Sequence, residues 1–227
     1  SIDNCAKEPL RRSLAVFQLG ESGGGTRLMN YVRKVVKAEK LAGYEEAVQL
    51  FVEEEQRHAR LLAEMVRYLE GSLLQKQWTN SIFRWLRNHF GVEFNIQILL
   101  IAELVAEVYF GMLYRRLDDL PLRKCCHRLL ADEMRHISFH TEFLRERLET
   151  MPRWWRTLWR AQFWCLHRVT AVVVAWDHRD CLRAMKVGRL EFCRMTWKTG
   201  ARFLRRMLSP QKLWGPKITI SNRTDVA

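Results

Sequence analysis

Glu55-x-x-His58 and Glu133-x-x-His136 constrain this chain more than any other feature of it. Each lies in a stretch whose apolar residues recur every three or four positions, the period of an amphipathic helix. On a helix, residues three apart are neighbours on one face, about 5–6 Å apart at Cβ. Each motif therefore aims a carboxylate and an imidazole in one direction. One such pair is ordinary helix-surface chemistry. Two pairs, in runs as apolar as FVEEEQRHARLL (51–62) and LLADEMRHISFH (129–140), ask for a fold that brings helix faces together around a polar centre. Buried charge is costly unless it is paired or holds a metal.

Helical periodicity dominates the rest, and no run alternates cleanly as a strand does, so the expected fold class is all-α. Only five prolines and eleven glycines punctuate the chain, which favours long helices. Residues 1–12 read as an N-terminal arm. A first helix is expected over 13–39, with GESGGG (20–25) inside it or breaking it. Gly43 marks a turn, a second helix covers about 45–70, and Gly71 stops it. The connection 77–91 has room for a short helix. A third helix, 92–117, is apolar almost all round and should be central. DDLP (118–121) is a turn whose Pro121 opens a fourth helix to about 149. Pro152 starts a fifth helix. There Trp155, Trp159, Gln162, Leu166, Thr170 and Val173 form a stripe able to lie on the bundle, with Arg153, Arg156, Arg160 and Arg168 mostly off it. A sixth helix spans about 188–208, and 211–227 is an irregular tail. The organisation expected is a bundle over 13–149 and a basic Trp/Arg-rich helical extension over 150–210. The longest apolar run, VTAVVVAW (169–176), is bounded by Arg168 and Asp177, so no transmembrane segment is expected, nor a signal peptide.

The formal charge of +13 is unevenly spread, with fourteen lysines and arginines against three acids between 151 and 214. That region is either a solvated basic face or a contact for an anionic partner. The six cysteines have no C-x-x-C spacing and read as reduced thiols of a cytoplasmic protein.

A third acid belongs with the two motifs. Glu103 stands in the greasy LLIAELVAE, and Glu107 follows one turn on. Folding the third and fourth helices back at 118–121 sets Glu133 opposite a point between them, so geometry does not choose. Glu103 has the more apolar surroundings on both sides.

A carboxylate, an ExxH pair, a second carboxylate and a second ExxH pair on four helices resemble the ligand pattern of ferritin-like di-iron carboxylate proteins. The resemblance covers about residues 13–149 and implies a ferritin-like four-helix bundle. It implies metal ligation by Glu55 and His58, by Glu103, and by Glu133 and His136, with Glu21 in QLGESGGG matching the first-helix glutamate. A fold at Gly43 would set the second-helix motif opposite 28–31, where no acid stands, so bringing Glu21 level needs a bulge at the glycines. By the same resemblance Asp132 would orient His58 and Glu54 would orient His136, each accepting the imidazole's other N–H. His140 is either an additional ligand or a pocket residue. Gly23 to Gly25 would leave room beside the metals for dioxygen or substrate, or form an ordinary loop. Tyr109, His127 and His167 receive no role.

Four carboxylates balance two divalent ions, and oxygen and nitrogen donors without thiolate suit iron, with manganese an option at one site. The implied activity is a non-haem di-iron oxidoreductase that uses O₂ as co-substrate to hydroxylate, desaturate or N-oxygenate an organic substrate. No flavin or nicotinamide motif is visible, so electrons would come from an external ferredoxin or reductase. The Trp/Arg-rich extension suggests an apolar, anionic substrate or an acidic carrier protein. The rivals are a di-iron tRNA hydroxylase, whose RNA the basic region would suit, a rubrerythrin- or ferritin-like iron-handling protein, and a non-catalytic nucleic-acid-binding module. A homodimer is compatible with all of them.

Overall fold

The computed structural model describes residues 2–23, 25, 28–30, 32–33, 44–89 and 92–208, and among these no strand occurs. Among the described residues the helices with defined bounds are α1 (Asn4–Glu21), α2 (Tyr44–Tyr68), α3 (Trp78–His89), α4 (Val92–Arg116), α5 (Leu120–Glu149), α6 (Arg153–Asp177), α7 (Arg179–Ala184) and α8 (Arg189–Leu208), and 28–30 and 32–33 are helical as well. The expected irregular tail, 211–227, lies outside the described residues, as do 34–43.

Local chemistry sets the helix ends. Asp119 caps α5, its side chain accepting the Leu122 N–H at 3.1 Å, with proline in the first turn. At the end of α2 the Gly71 N–H reaches back to the Val66 carbonyl at 2.8 Å. The left-handed residue there is Glu70, with φ 57, and not the glycine.

The start of the chain departs from the sequence expectation. Residues 4–12 are helix and not an arm: Asp3 accepts the Cys5 N–H at 3.3 Å to open α1, and Leu10 is fully buried. Nor is 13–39 one continuous helix. α1 ends at Glu21, and the Ser22 N–H closes onto the Gln18 carbonyl at 3.1 Å. Gly25 has φ +62, and a Cβ added to it would meet Val52 Cγ1 at 2.5 Å. This glycine lets the backbone at 25 press onto Val52 of α2, which a side chain would prevent; it does not open space beside the site.

α1 and α2 run antiparallel, as Lys7 meets Glu70 at 2.8 Å near one end and Glu21 faces Glu55 near the other. α4 and α5 form a second antiparallel pair, and α5 packs on α2 across the bundle. Two apolar cores result. One gathers Leu14, Leu62, Val66, Tyr109, Phe110 and Leu129; the other gathers Val52, Leu100, Phe143, Phe163 and Phe203. On α2, α4 and α5 the two cores occupy opposite ends, and a polar layer separates them.

α6 and α8 pack together and against α4. The buried side of α6 is Trp159, Phe163, His167, Ala171 and Ala175, whereas Trp155 and Gln162 of the expected stripe are exposed. The seat is rotated because small residues permit close approach. Cys193 Sγ lies 3.7 Å from the Ala171 carbonyl, and Gly200 makes room for His167, whose Cε1 would stand 2.5 Å from an added Cβ.

A longer apolar stretch than 169–176 exists. Phe94–Arg116 is long and apolar enough to cross a membrane, but 89% of its apolar 18-residue window is buried within the protein. It is the central helix of the bundle.

Candidate metal centre

The polar layer between the two cores is where the acids and histidines converge. Glu55, His58 and His136 each offer a ligand atom within 4.8 Å of the others. His136 Nδ1 is 3.2 Å from Glu55 Oε1, and His58 Nδ1 is 3.6 Å from Glu133 Oε1 and 3.8 Å from Glu55 Oε1. Glu21, the last residue of α1, hydrogen-bonds Glu55 and acts electrostatically on His58 and His136. Ending the helix there, rather than bulging it, is what brings this acid level. Glu103 acts on Glu133 from α4 and holds His140 Nε2 at 3.0 Å.

An outer ring fixes the imidazoles. His58 Nε2 lies 3.1 Å from Asp132 Oδ2, and His136 Nε2 lies 3.0 Å from Glu54 Oε2. Each acid thus meets the histidine of the opposite helix, so two crossed bonds clamp α2 to α5. With Nε2–H donating outward, both Nδ1 lone pairs face the centre. Phe51 packs edge-on against His136 and His140, with ring centroids 4.7 and 4.8 Å away.

The electrostatics divide the acids into two kinds. Burial raises the carboxyl of Glu133 well above its usual range, and Glu21, Glu55 and Glu103 add repulsion. Glu21 is raised the same way, by burial and then by Glu55; the residue is half-buried but its acid group is enclosed. Burial alone would also raise Glu54 and Asp132. The bonds from His136 and His58 and the charge of Arg135 outweigh it, and both end below the usual range.

Arg135 is the residue that motif reading missed. Its guanidinium reaches Glu54 at 3.4 Å and also bonds Asp132, tying the two outer acids together. Its signal was the spacing Asp132-x-x-Arg135, a helix-neighbour pair of opposite charge.

Glu107 does not join the cluster. It faces a cavity lined by Leu104, Ile137 and Phe203 and by Arg202 and Arg206, and burial raises its carboxyl against the pull of those arginines. Tyr109 sits in a separate buried network, 2.5 Å from Ser13, whose hydroxyl is 2.6 Å from His178 Nδ1. His127 is exposed. All six cysteines are free thiols.

The donor set fits a pair of divalent ions. His58 Nδ1, His136 Nδ1 and Glu133 Oε1 are enclosed without a hydrogen-bond partner. Enclosed lone pairs pointing at one another are unfavourable in a protein interior unless a cation sits among them. Oxygen and nitrogen donors without sulfur suit iron or manganese.

The comparisons agree with this chemistry. No curated protein matches the sequence significantly. A solved structure described as protein 19 with aldehyde deformylating oxidase activity, from Synechococcus, shares the fold, with a TM-score of 0.66 at 14% identity, over 91% of this chain and 93% of that one. The family model P-aminobenzoate N-oxygenase AurF matches residues 28–177. With most of its length matched, the chain belongs to the AurF p-aminobenzoate N-oxygenase family, within the ferritin-like di-iron oxidoreductases.

Proposed function

We propose that this chain N-oxygenates a small aromatic amine that carries an acid group. Glu21, Glu55, His58, Glu103, Glu133 and His136 would hold two iron ions, one of which manganese could replace. When bound, the ions supply the redox chemistry that activates O₂. The observation that carries the assignment is the crossed pairing of His58 with Asp132 and His136 with Glu54, which leaves both Nδ1 atoms facing a ring of carboxylates. The family description supplies the amine.

The chain's own residues do the rest. Glu54 and Asp132 fix ring orientation and tautomer, and Phe51 closes one side of the imidazoles to water. The cavity beside Leu104 and Ile137 offers apolar walls for a ring, and Arg202 and Arg206, which also face Glu107 there, offer cations that a substrate carboxylate would share with that acid. Converting an amine to a hydroxylamine consumes one O₂, two electrons and two protons and releases one water. The electrons come from an external ferredoxin or reductase.

The test uses iron-loaded protein, a chemical reductant, p-aminobenzoate and ¹⁸O₂. One labelled oxygen atom on the product nitrogen is the expected result. Deformylation of an aldehyde, with the amine untouched, would replace this reading with the one named for the Synechococcus protein.

Outer-ring substitution gives a graded effect. Asp132→Asn should lower iron affinity about 10- to 100-fold, with helix content by circular dichroism unchanged. Equal iron-binding isotherms for variant and parent would refute the role given to Asp132.

A further inference from the structure

Among the described residues, none covers one face of α6 along its length. Trp154, Leu158, Cys165, Val169, Val172 and Trp176 are all exposed, Trp154 at 66% and Trp176 at 56%. From Trp154 to Cys165 to Trp176 the spacing is 11 residues each time. That is close to three full turns, so the row runs straight along the helix for about 33 Å. Single exposed apolar side chains are ordinary, but a continuous row marks a contact surface. A second row, Trp78, Ile82 and Trp85 on α3, is exposed too. It begins at the same corner, because Gln77 and Thr79 donate to Asp177 at 2.7 and 3.3 Å, beside Trp176.

Charge decides what covers this face. By helical spacing Arg153, Arg160 and Arg168 follow one edge of the α6 row. Arg168 stacks over Trp164 and Trp197, at 3.5 and 4.8 Å from the ring centroids. Arg179 and Arg189 stack over Trp176, at 5.5 and 5.1 Å. The three acids between 151 and 208 are engaged already: Asp177 by Gln77 and Thr79, Asp180 by Arg183 at 3.4 Å, and Glu191 by the Gly188 N–H at 3.3 Å. A second copy meeting this one face to face would set these arginines against their own kind, with all three acids of the region already engaged. An anionic lipid surface takes both parts at once, the apolar row in the acyl boundary and the arginines among the headgroups. Tryptophan suits that boundary, having an apolar body and a polar edge.

We propose that the exposed face of α6 docks this protein on an anionic lipid surface. The helix lies on the surface through its outer row while its inner face stays packed on α4 and α8. The dock is independent of the iron reading, since no residue of the metal centre takes part.

Sedimentation with phosphatidylcholine vesicles, with and without phosphatidylglycerol, tests this on the full chain, iron-loaded and metal-free alike. Binding is expected only when phosphatidylglycerol is present, equally for both forms, with a blue shift of tryptophan emission and release by salt. The double variant Leu158→Glu, Val172→Glu, at exposed positions, should lose binding with its circular dichroism intact. Arg160→Gln should weaken binding about fivefold. Three results each overturn the proposal. One is failure to bind the anionic vesicles, and another is undiminished binding by the double variant. The third is a dimer, or an RNA complex, that the double variant abolishes while vesicles are ignored.

Discussion

Glu133→Gln is expected to bind no iron at the centre and to bring dioxygen-dependent turnover to background, while making the metal-free protein more stable. The two effects share a cause. Glu133 is buried among Glu21, Glu55 and Glu103, and burial and mutual repulsion hold its carboxyl well above the normal range. Without a cation that arrangement costs free energy, because several acids compete to stay charged in a medium that favours none of them. Glutamine keeps the volume and removes one charge. The gain in the metal-free state is on the order of 1–4 kcal/mol, by analogy with buried ion clusters that give way to uncharged residues of similar volume. At about 2–4 °C per kcal/mol for a domain of this size, calorimetry resolves it. A metal-free variant that melts below the metal-free parent would contradict the electrostatic account. Iron content would report separately on ligation.

Wild-type protein should lose stability in mild acid through two histidines that take no part in the metal centre. His167, between Phe163 and Gly200, and His178, against Ser13 and Phe17, are both pushed down to about 4, by burial first. The unfolded chain protonates a histidine near 6.5. Between 6.5 and about 4 the unfolded state therefore binds more protons than the native state, and stability rises with pH across that window. The contribution is full above 6.5 and is lost as pH falls towards the folded value. Each histidine should cost about 2 kcal/mol on going from pH 7 to pH 5. The buried acids of the centre titrate in the opposite sense when no metal is present, so the comparison must be internal. His167→Leu should be less acid-sensitive than wild type by about 2 kcal/mol over the same interval, measured by urea melts. Parallel pH profiles for the two proteins would show that His167 protonates freely in the fold.

The centre was legible because helix geometry turns sequence spacing into direction. Glu55 and His58, and Glu133 and His136, could face only one way on their helices, and a charged residue in a run as apolar as that around Glu103 had to be accounted for. The choice between Glu103 and Glu107 was not legible. Both lie on neighbouring faces of one helix, and it took the position of α8, with Arg202 and Arg206, to draw Glu107 aside. Glu21 resembled the family pattern, but its route into the site depended on α1 stopping at Ser22, a break that periodicity across the glycines did not fix. The seat of α6 was misread for a physical reason. Tryptophan is the largest apolar residue, so a stripe through Trp155 and Trp159 looked like the inner face. The actual seat uses Ala171 and Ala175, whose value is their smallness, and smallness carries no hydrophobic signal. The arm at 1–12 failed similarly, since a few polar and basic residues hid the face that Leu10 and Leu14 bury.

The polar layer that parts the two apolar cores has a mechanical consequence. Most helical bundles fray first at their tips, where water already has access. Here the least cohesive cross-section of the metal-free chain is the waist, with α2, α4 and α5 each crossing it once and crossed histidine–carboxylate ties as its main seam. Whatever fills that waist braces the molecule from the middle outward, tying the core of Leu62 and Phe110 to the core of Val52 and Phe143.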